Sequence, residues 1–269
     1  MSVLEVRNAA FSYHSDISDG KPIFTDVSFS LKEGQILSII GPNGCGKSTL
    51  LNCLANLLKL IAGEILLNGR AQQFYKKKEI ARIIGYVPQL YTLSFGYSVR
   101  DYVVMGRAPY TGVFAIPGEK EYKQADAALE RMGIAHLAGR PYTEISGGER
   151  QQATIARVLV QKPRIIMLDE PTSALDYGNQ MRTLELIQEL AHEGYAIIMT
   201  THTPDHAIML DDTVALLDRN GGLSVGTTAE IMREDVLKEI YRTNLKLVYV
   251  AEVGRTACLA VNANKLLAP

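Results

Sequence analysis

The chain opens with two short segments in which apolar and polar residues alternate. These segments are Val3–Val6 and Val27–Leu31, and a period of two predicts antiparallel strands that are buried on one face. Ile36–Ile40 differs, because it is an uninterrupted apolar run that leads directly into a glycine-rich segment. Such a run predicts a strand buried on both faces, followed by a loop and a helix.

Further along the chain, short apolar runs alternate with stretches of helical spacing. The additional runs that predict strands are Ile65–Leu67, Ile83–Val87, Arg164–Leu168 and Ala196–Met199. A helix is predicted over Gly178–His192, between the last two of them. This recurring order predicts an α/β fold with a mostly parallel sheet and helices on both of its faces.

The middle and the end of the chain follow other patterns. Residues 98–161 show helical spacing with little strand pattern, so a helical subdomain is expected as an insertion into the core. After Gly226 the pattern predicts one or two helices and a strand pair at Lys246–Val250 and Ala257–Val261. We therefore expect one domain over 1–269, with its parts at 1–89 and 160–225 (core with an antiparallel β subdomain), 90–159 (helical subdomain) and 226–269 (C-terminal extension).

Charge, cysteine positions and hydropathy narrow the classes of partner. With 28 Lys and Arg against 29 Asp and Glu, the formal net charge is −1, so no nucleic-acid partner is predicted. Cys45, Cys53 and Cys258 form no CxxC pair or Cys/His cluster, which favours a reducing compartment over a disulfide framework or a zinc site. No apolar run approaches the ~18 residues that cross a bilayer, and no signal-peptide pattern opens the chain. We expect a soluble subunit that would work at a membrane only by docking onto another protein.

The glycine-rich segment after Ile36–Ile40 carries the strongest candidate chemistry. It fits the pattern GxxxxGK[ST] with Gly41-Pro42-Asn43-Gly44-Cys45-Gly46-Lys47-Ser48-Thr49. Between a strand and a helix this pattern predicts a phosphate-binding loop, because the glycines let successive N–H groups turn inward and the helix N-terminus adds its positive dipole. Lys47 is expected to reach the β- and γ-phosphates and Ser48 to place its hydroxyl on Mg²⁺. The alternative is a glycine-rich turn that matches by chance.

Two adjacent acids follow the predicted strand Arg164–Leu168. Ligands bind at the carboxyl ends of strands in sheets of this kind. Asp169 is therefore predicted to hold Mg²⁺, through water, and Glu170 to polarise an attacking water. The alternative, a surface turn with two solvated acids, is the better explanation for the pair taken alone and the weaker one once a phosphate loop is predicted in the same sheet.

A segment upstream of these acids identifies the branch of phosphate-loop proteins. It has the sequence Ile145-Ser146-Gly147-Gly148-Glu149-Arg150-Gln151-Gln152. This resembles the LSGGQ signature of the ABC ATPase family, with Ile in place of Leu and Glu in place of Gln, and the continuation QQATIARVLVQKPRIIMLDEPTSALD resembles the family too. A serine and free N–H groups at a helix N-terminus can receive a phosphate. The same residues also predict a capping box with Glu149, and the two roles are compatible.

Further positions resemble motifs of that family in the expected order. Tyr13 resembles the aromatic residue that stacks on adenine, Gln89 resembles the Q-loop glutamine that contacts the metal and the attacking water, and His202 resembles the switch histidine. Each of them alone would be interpreted as an ordinary packing or loop residue. The segment that resembles the D-loop, which communicates across the dimer, is Ser173-Ala174-Leu175-Asp176. The resemblance implies catalytic roles for Glu170, His202, Gln89 and Lys47, and Mg²⁺ ligands at Ser48, Gln89 and Asp169.

The resemblance also implies ATP and Mg²⁺ as ligands and a head-to-tail homodimer as the working unit. In this family the signature lies far from the phosphate loop of its own chain. Ser146–Gly148 of one copy are therefore expected to close over ATP held by Lys47 of the other. The other partners implied are transmembrane permease subunits and, indirectly, a substrate-binding protein. This places the chain at the cytoplasmic face of the inner or plasma membrane, held there through the permease.

The stretch Tyr97–Gly112 bears on the class of transporter. It resembles the TVRDxVxxGRxPxxG stretch of bacterial importers for iron–siderophore, haem, vitamin B12 and oxyanions such as molybdate. In the family this stretch lies where the helical subdomain receives the coupling helix of a membrane subunit, and apolar and aromatic residues suit a groove for a helix. The alternative is a helical packing segment without a partner.

Three rival functions and one side hypothesis stay open. A non-transport ABC ATPase usually shows long coiled coils, zinc motifs or two cassettes, which this sequence lacks. An exporter ATPase subunit often carries membrane helices in the same chain. A phosphate-loop GTPase would need an NKxD-type guanine reader, whereas the one Asn-Lys pair, Asn264-Lys265, lacks the Asp. Thiol modification of Cys45 is a hypothetical way to block ATP, the alternative being that Cys45 is a small tolerated residue.

Overall fold

The computed structural model describes residues 2–13, 21–89, 96–111 and 116–261, and Gly112, Asn264 and Lys265 lie outside these ranges. Its strands are β1 (Ser2–Phe11), β2 (Phe24–Lys32), β3 (Ile36–Ile40), β4 (Ala62–Leu67), β5 (Arg70–Ala71), β6 (Ile84–Val87), β7 (Ile165–Asp169), β8 (Ala196–Thr201), β9 (Thr213–Leu217), β10 (Leu223–Thr227), β11 (Leu245–Val250) and β12 (Arg255–Ala260). Its α-helices are α1 (Lys47–Leu54), α2 (Lys77–Ile83), α3 (Val99–Val104), α4 (Glu119–Arg131), α5 (Gly147–Gln161), α6 (Tyr177–His192), α7 (Pro204–Leu210), α8 (Thr228–Ile231) and α9 (Glu234–Tyr241).

The central sheet has the strand order β10-β9-β3-β8-β7-β6. All its neighbours pair in parallel except β10, which is antiparallel to β9. Every residue of β3, β7 and β8 is buried, because each strand is covered on both faces and apolar runs satisfy both. The predicted α/β fold with a mostly parallel sheet is therefore confirmed. The carboxyl ends of β3, β7 and β8 meet at one edge, where the candidate residues follow.

A second sheet is antiparallel and has the order β2-β1-β4-β5. Burial alternates along β2, so that Val27, Phe29 and Leu31 face inward between exposed neighbours. This confirms the strands predicted from alternation near the start of the chain. The inner face of the sheet shares one hydrophobic core with α1 and with one face of the central sheet, and that core holds the glycine-rich segment in place between them.

Helices α3, α4 and α5 form the middle of the chain, as the helical spacing predicts. They share a core with the other face of the central sheet. Ser98 caps α3 by accepting from the Asp101 backbone N, and the Arg100 guanidinium donates to both oxygens of Asp126 on α4 at 2.6 Å. These contacts fasten α3 to α4, and the whole unit rests on the sheet through α5.

Sequence patterns did not reveal several elements near the end of the chain. Strands β9 and β10 and helix α7 follow His202, where the interpretation of the sequence contained no element before Gly226. The predicted final strand pair is confirmed, because β11 and β12 pair antiparallel from Leu245↔Ala260 to Val250↔Arg255. The division of the chain into a core, a helical subdomain and a C-terminal extension at the stated boundaries stays a prediction.

Candidate functional site

The glycine-rich loop joins the end of β3 to α1, and two of its glycines have very close neighbours. A Cβ on Gly41 would lie 2.3 Å from the Leu217 carbonyl oxygen, and one on Gly46 would lie 2.5 Å from Ile23 Cγ2. Gly46 also has φ +107°, a left-handed conformation that side chains rarely adopt. A side chain at Gly41 would collide with the Leu217 backbone, and one at Gly46 would displace Ile23 and strain the backbone, so the curled loop depends on glycine at both positions.

Lys47 begins α1 and turns its ammonium back into this loop. Its Nζ donates to the carbonyl oxygens of Gly41 at 2.9 Å and Pro42 at 3.2 Å, and lies 3.5 Å from Glu170 Oε1. The side chain is only 5 % exposed. A buried cation held by carbonyl oxygens and one carboxylate is well placed to exchange those partners for phosphate oxygens.

Cys45 is also buried within the loop. Burial raises the pKa of its thiol, although the nearby Lys47 cation acts in the opposite direction. A thiol with a raised pKa holds little thiolate, which is the reactive form. The structure therefore favours the interpretation of Cys45 as a small packing residue over that of a reactive thiol.

Asp169 ends β7 and lies at the centre of a hydrogen-bond network. Its Oδ1 accepts from Ser48 Oγ at 3.0 Å and from Thr200 Oγ1 at 2.7 Å, and its Oδ2 accepts from the Tyr86 hydroxyl at 3.3 Å. The four side chains come from α1, β8, β6 and β7, so the parallel sheet brings them together at one edge. Ser48 and Asp169 thus present a hydroxyl and a carboxylate to the same point, as the sequence predicts.

Glu170 follows Asp169 in a strained conformation. Its φ is +46°, which is uncommon for a residue with a side chain and costs about 1 kcal/mol or more. The backbone N of Glu170 donates to Thr200 Oγ1 at 2.9 Å, and this bond helps to hold the turn. As a result the side chain is directed away from β7 and into the space beside Lys47.

The Glu170 carboxylate brings together the residues that resemble the catalytic set. Its Oε2 lies 3.2 Å from His202 Nδ1 and 3.5 Å from Gln89 Nε2, while its Oε1 faces Lys47. Glu170 is 13 % exposed and His202 43 % exposed, so the carboxylate lies inside and the imidazole lies toward the opening. The structure therefore places these four side chains around one point, although they are far apart in the sequence.

Tyr13 lies at the mouth of a cleft of about 400 Å³. Its hydroxyl is 3.1 Å from Thr49 Oγ1, and its ring meets the ring of Phe11 edge to face at 5.0 Å. The ring is 64 % exposed, and an exposed, fixed aromatic face can stack on a flat ligand. The cleft is lined by Tyr13, Ile23, Asn43, Gly44, Gly46, Lys47, Ser48, Thr49, Gln89 and Glu170.

The segment Ser146–Glu149 lies at the N-terminus of α5, outside that cleft. Ser146 Oγ accepts from the Glu149 backbone N at 3.3 Å and the Ser146 backbone N donates to Glu149 Oε2 at 2.7 Å, so the predicted capping box is confirmed. These bonds lower the pKa of the Glu149 carboxyl. Ser146 is exposed, and among the residues that the structure describes none of Ser146, Gly147, Gly148 and Glu149 lines the cleft at Lys47.

The segment Ser173–Asp176 connects the strained turn at Glu170 to α6. Ser173 Oγ donates to the Glu170 carbonyl oxygen at 3.0 Å, and Asp176 caps α6 by accepting from the Asn179 backbone N at 2.8 Å. Ala174 and Leu175 face the signature segment: a Cβ on Gly147 would lie 4.0 Å from the Ala174 carbonyl oxygen, and one on Gly148 would lie 3.7 Å from Leu175 Cδ2. The two segments that resemble dimer-contact motifs therefore share one surface of the chain.

Sequence interpretation missed three residues that support the site. Thr200 and Tyr86 hold Asp169, and His206 lies within 3.4 Å of the hydroxyls of Thr172 and Thr201. Burial lowers the pKa of His206, which favours its neutral form in this position. The two threonines that end the otherwise apolar run of β8 were the one available signal, because polar residues at the carboxyl end of a buried strand indicate a site.

Comparison with protein families gives a match to the family described as ABC transporter. The match covers residues 24–173, which is more than half of the chain and includes every candidate residue from the phosphate loop to Ser173. Among the helices of the described residues, none is long and apolar enough to cross a membrane.

Curated proteins of similar sequence are ATP-binding proteins of this kind. An uncharacterized ABC transporter ATP-binding protein of Haemophilus influenzae is 39 % identical over 92 % of this chain and 92 % of its own length. The molybdate import ATP-binding protein MolC of the same organism is 36 % identical, with coverage of 88 % and 87 %. The iron(3+)-hydroxamate import ATP-binding protein FhuC of Bacillus subtilis is 33 % identical, with coverage of 90 % and 91 %.

Solved structures agree with the fold. An inward-facing metal-chelate type ABC transporter matches with a TM-score of 0.85 and 33 % identity over 98 % of this chain and 100 % of that chain. The dimeric bacterial ABC transporter cassette MJ0796 matches with a TM-score of 0.74 and 27 % identity, over 84 % and 98 %. ABC cassettes of this kind use ATP and work as dimers with membrane permease components.

Proposed function

This chain belongs to the ABC transporter family as an ATP-binding, ATP-hydrolysing subunit, and from this premise we propose that it energises an importer for a metal chelate or a similar cargo. The observation that carries the proposal is the convergence of Lys47, Gln89 and His202 on the Glu170 carboxylate inside the cleft. The cargo class is supported by similarity to ATP-binding proteins of iron-hydroxamate and molybdate import and to a metal-chelate type transporter.

The cleft suits a nucleoside triphosphate along its length. At one end the exposed ring of Tyr13 offers a face for the adenine, and at the other the loop N–H groups, the start of α1 and the Lys47 ammonium offer positive potential to the phosphates. Thr49 links the two ends, because its hydroxyl contacts Tyr13 while its backbone belongs to α1. The ligand would therefore lie with its phosphates against the loop and its base at the opening.

The donor set also fits Mg²⁺. Ser48 Oγ and Asp169 Oδ1 are 3.0 Å apart, and hydroxyl, carboxylate and amide oxygens are the hard ligands that this ion prefers. Ser48 and Gln89 would bind it directly and Asp169 through water. When bound, the ion neutralises charge on the β- and γ-phosphates. Thr200 and Tyr86 keep the Asp169 carboxylate oriented toward this point.

Glu170 is the residue best placed to orient an attacking water. Its carboxylate is nearly buried, lies 3.5 Å from the Lys47 ammonium and opens into the cleft, where a carboxylate can accept a proton from water. His202 lies on the open side, where it would contact the γ-phosphate, and Gln89 would contact both the metal and the water. Positioning and charge stabilisation would then supply most of the catalysis.

A second copy of the chain would complete the pocket. The segment Ser146–Gly148 forms a helix N-terminus with an exposed serine, which is a suitable phosphate receptor. In its own chain it faces Ala174 and Leu175 rather than the Lys47 cleft. A head-to-tail homodimer brings it over the ATP of the partner, with Ser173–Asp176 at the same surface.

A groove beside the helical unit suits a helix of the permease. Its volume is about 480 Å³, and its lining includes Leu57, Met105, Pro109 and Arg157. Leu57 is 63 % and Met105 38 % exposed, and exposed apolar side chains that share one groove are typical of a surface that binds a partner. The groove contains part of the importer-like stretch Tyr97–Gly112. A permease helix bound there would hold the chain at the cytoplasmic face of the membrane, with a substrate-binding protein on the other side.

Hydrolysis and dimer closure can be tested with Glu170→Gln. This variant should bind Mg²⁺-ATP with unchanged affinity, form a stable dimer in ATP and lose nearly all turnover, because the amide cannot accept a proton from water. Glu185→Gln, an exposed change on α6, is the matched control and should behave as wild type. Substantial hydrolysis by Glu170→Gln would move the base role to another residue.

The importer role needs a separate measurement. Co-purification of the tagged chain from its native membranes should recover a permease. Vesicles that contain both proteins should transport an iron hydroxamate, haem or molybdate only when ATP is present on the side of the membrane where this chain is bound. A groove variant, Leu57→Asp, should lose the permease while its own ATP binding is kept. Recovery of an exporter, or of no membrane protein at all, would contradict the importer role and leave the ATPase assignment intact.

A further inference from the structure

The C-terminal extension packs on the two segments that carry the site. Its buried side chains Met232, Leu237 and Leu245 belong to one hydrophobic cluster with Ile40 and residues of α7 and β9. Ile40 is the last residue of β3 before the phosphate loop, and α7 begins two residues after His202. The extension is therefore built against the backbone that positions the catalytic groups, and none of its described residues lines the cleft.

A polar contact joins the extension to the first turn of α7. The carboxylate of Asp205 accepts from the Cys258 backbone N at 2.9 Å and lies 3.4 Å from Arg255 Nη1. Asp205 and Arg255 are both only partly exposed, at 29 % and 34 %, so water screens this contact less than an open surface pair. Because Asp205 is three residues from His202, the contact acts on the segment that carries the imidazole.

The strand pair β11–β12 is itself anchored, so it can serve as a support. Glu234 at the start of α9 accepts from the Leu247 backbone N at 3.1 Å and pairs with Lys238 and Lys246, each at 3.1 Å. Tyr241 at the end of α9 is half-buried and packs against the same hydrophobic cluster, with its hydroxyl oxygen buried. Burial raises the pKa of this phenol, and its oxygen has no hydrogen-bond partner among the described residues.

His202 needs such a support because few contacts fix its ring. Its described side-chain contact is the one to Glu170 Oε2 at 3.2 Å, and the ring lies toward solvent. The start of α7 has an inner anchor, His206, which contacts Thr172 and Thr201, and an outer anchor, Asp205. Without Asp205 the first turn of α7 would keep the inner anchor and the bond from the Thr203 backbone N to Thr201 Oγ1 at 3.1 Å, and we expect the imidazole to lie less often against Glu170.

We propose that Asp205 is a positioning residue for ATP hydrolysis, through which the C-terminal extension holds His202 at the catalytic carboxylate. Asp205 does not touch the nucleotide cleft; it acts through the first turn of α7. The inference rests on the proposed function, since it needs His202 to act on bound ATP. It assigns the extension a role in turnover rather than in nucleotide affinity.

The first test compares Asp205→Ala with Asp205→Asn. Asp205→Ala should lower kcat for ATP about three- to tenfold, the range typical of residues that act through a shared network, with KM for ATP unchanged. Asp205→Asn keeps an oxygen that accepts from the Cys258 backbone N but loses the charge that pairs with Arg255, and should recover part of that loss. The control Asp235→Ala breaks an exposed ion pair with Arg233 within the same extension and should leave kcat as in wild type.

The second test asks whether Asp205 acts through His202. In a His202→Ala background, measured with radiolabelled ATP, Asp205→Ala should cause no further loss, because residues that act as one unit are not additive. An equal fold-loss in both backgrounds, a change confined to KM, or an unchanged kcat would overturn the proposal. If Asp205→Ala melts too low to assay, Arg255→Ala takes its place; because it removes only the ion pair, it should lower kcat as much as Asp205→Asn does, again with KM unchanged and with no further loss in the His202→Ala background.

The two proposals fail in different ways. If the wild-type chain shows no Mg²⁺-dependent hydrolysis and His202→Ala changes nothing, the proposed function is wrong. If wild type hydrolyses ATP and His202→Ala slows it, but neither Asp205→Ala nor Arg255→Ala does, only the positioning role of Asp205 is wrong.

Discussion

Thr200→Val tests the network that holds the two acids. Thr200 is fully buried, and its hydroxyl is used twice: it donates to Asp169 Oδ1 at 2.7 Å and accepts from the Glu170 backbone N at 2.9 Å. Valine has nearly the same shape, so the change removes both hydrogen bonds with little effect on packing. The buried carboxylate loses one donor, and the strained turn at Glu170 loses its acceptor.

The expected cost follows from these two losses. A hydrogen bond to a charged group contributes about 1.5–3 kcal/mol, and a buried N–H left without a partner costs about 1–3 kcal/mol. The free energy of unfolding should therefore fall by roughly 3–5 kcal/mol, a large part of the stability of an ordinary domain. Turnover should fall as well, because Asp169 and Glu170 lose the contact that orients both of them.

Urea denaturation followed by circular dichroism measures the stability, and a Mg²⁺ titration of ATPase activity measures the site. Thr200→Ser is the control, since it keeps the hydroxyl and loses one methyl group, worth about 1 kcal/mol. The Val variant should be clearly less stable than the Ser variant and should need more Mg²⁺. If the Val variant equals or exceeds the Ser variant in stability and turnover, the Thr200 hydroxyl does not hold Asp169 and Glu170 in place.

Three further predictions concern other parts of the chain. Lys47→Ala should weaken ATP binding itself, as measured by calorimetry, because the change removes the cation at the phosphate end of the cleft. The control Lys59→Ala, at an exposed position, should bind ATP as wild type does. Unchanged affinity of Lys47→Ala would contradict the role of Lys47 in phosphate binding. Tyr241→Phe should leave the free energy of unfolding unchanged or raise it by up to about 1 kcal/mol, since the phenol oxygen is buried without a hydrogen-bond partner among the described residues. A clear loss of stability in urea would show that the hydroxyl does have a hydrogen-bond partner. Glu234 has its pKa lowered to about 2, first by the hydrogen bond from the Leu247 backbone N, so it stabilises the fold above the ordinary pKa of 4.5 and this contribution is lost as the pH falls toward 2. The stability difference between wild type and Glu234→Gln should therefore be present at pH 6 and shrink between about pH 4.5 and 2; a difference independent of pH would contradict this.

Much of the site was predictable because its motifs impose local demands on the backbone. Gly41 and Gly46 are needed where side chains would collide with Leu217 and Ile23, and a lysine and a hydroxyl at the start of the next helix complete a recognisable pattern. Asp169 and Glu170 were predictable for a related reason, since two acids at the end of an apolar strand are conspicuous in the sequence. Tyr13, Gln89 and His202 could be proposed only through family resemblance, because nothing in their neighbouring residues indicates a site.

Only the tertiary structure decided which segments that are distant in the chain contact one another. Thr200 supports Asp169 from another strand, and Asp205 meets Cys258 and Arg255 through a fold that the local pattern does not encode. Periodicity records which face of an element is buried, but not which element covers that face. The sequence by itself therefore determined the loop, the acids and the alternation of strands and helices that makes the fold α/β. The partners of those residues depended on how the sheet and the C-terminal extension pack together.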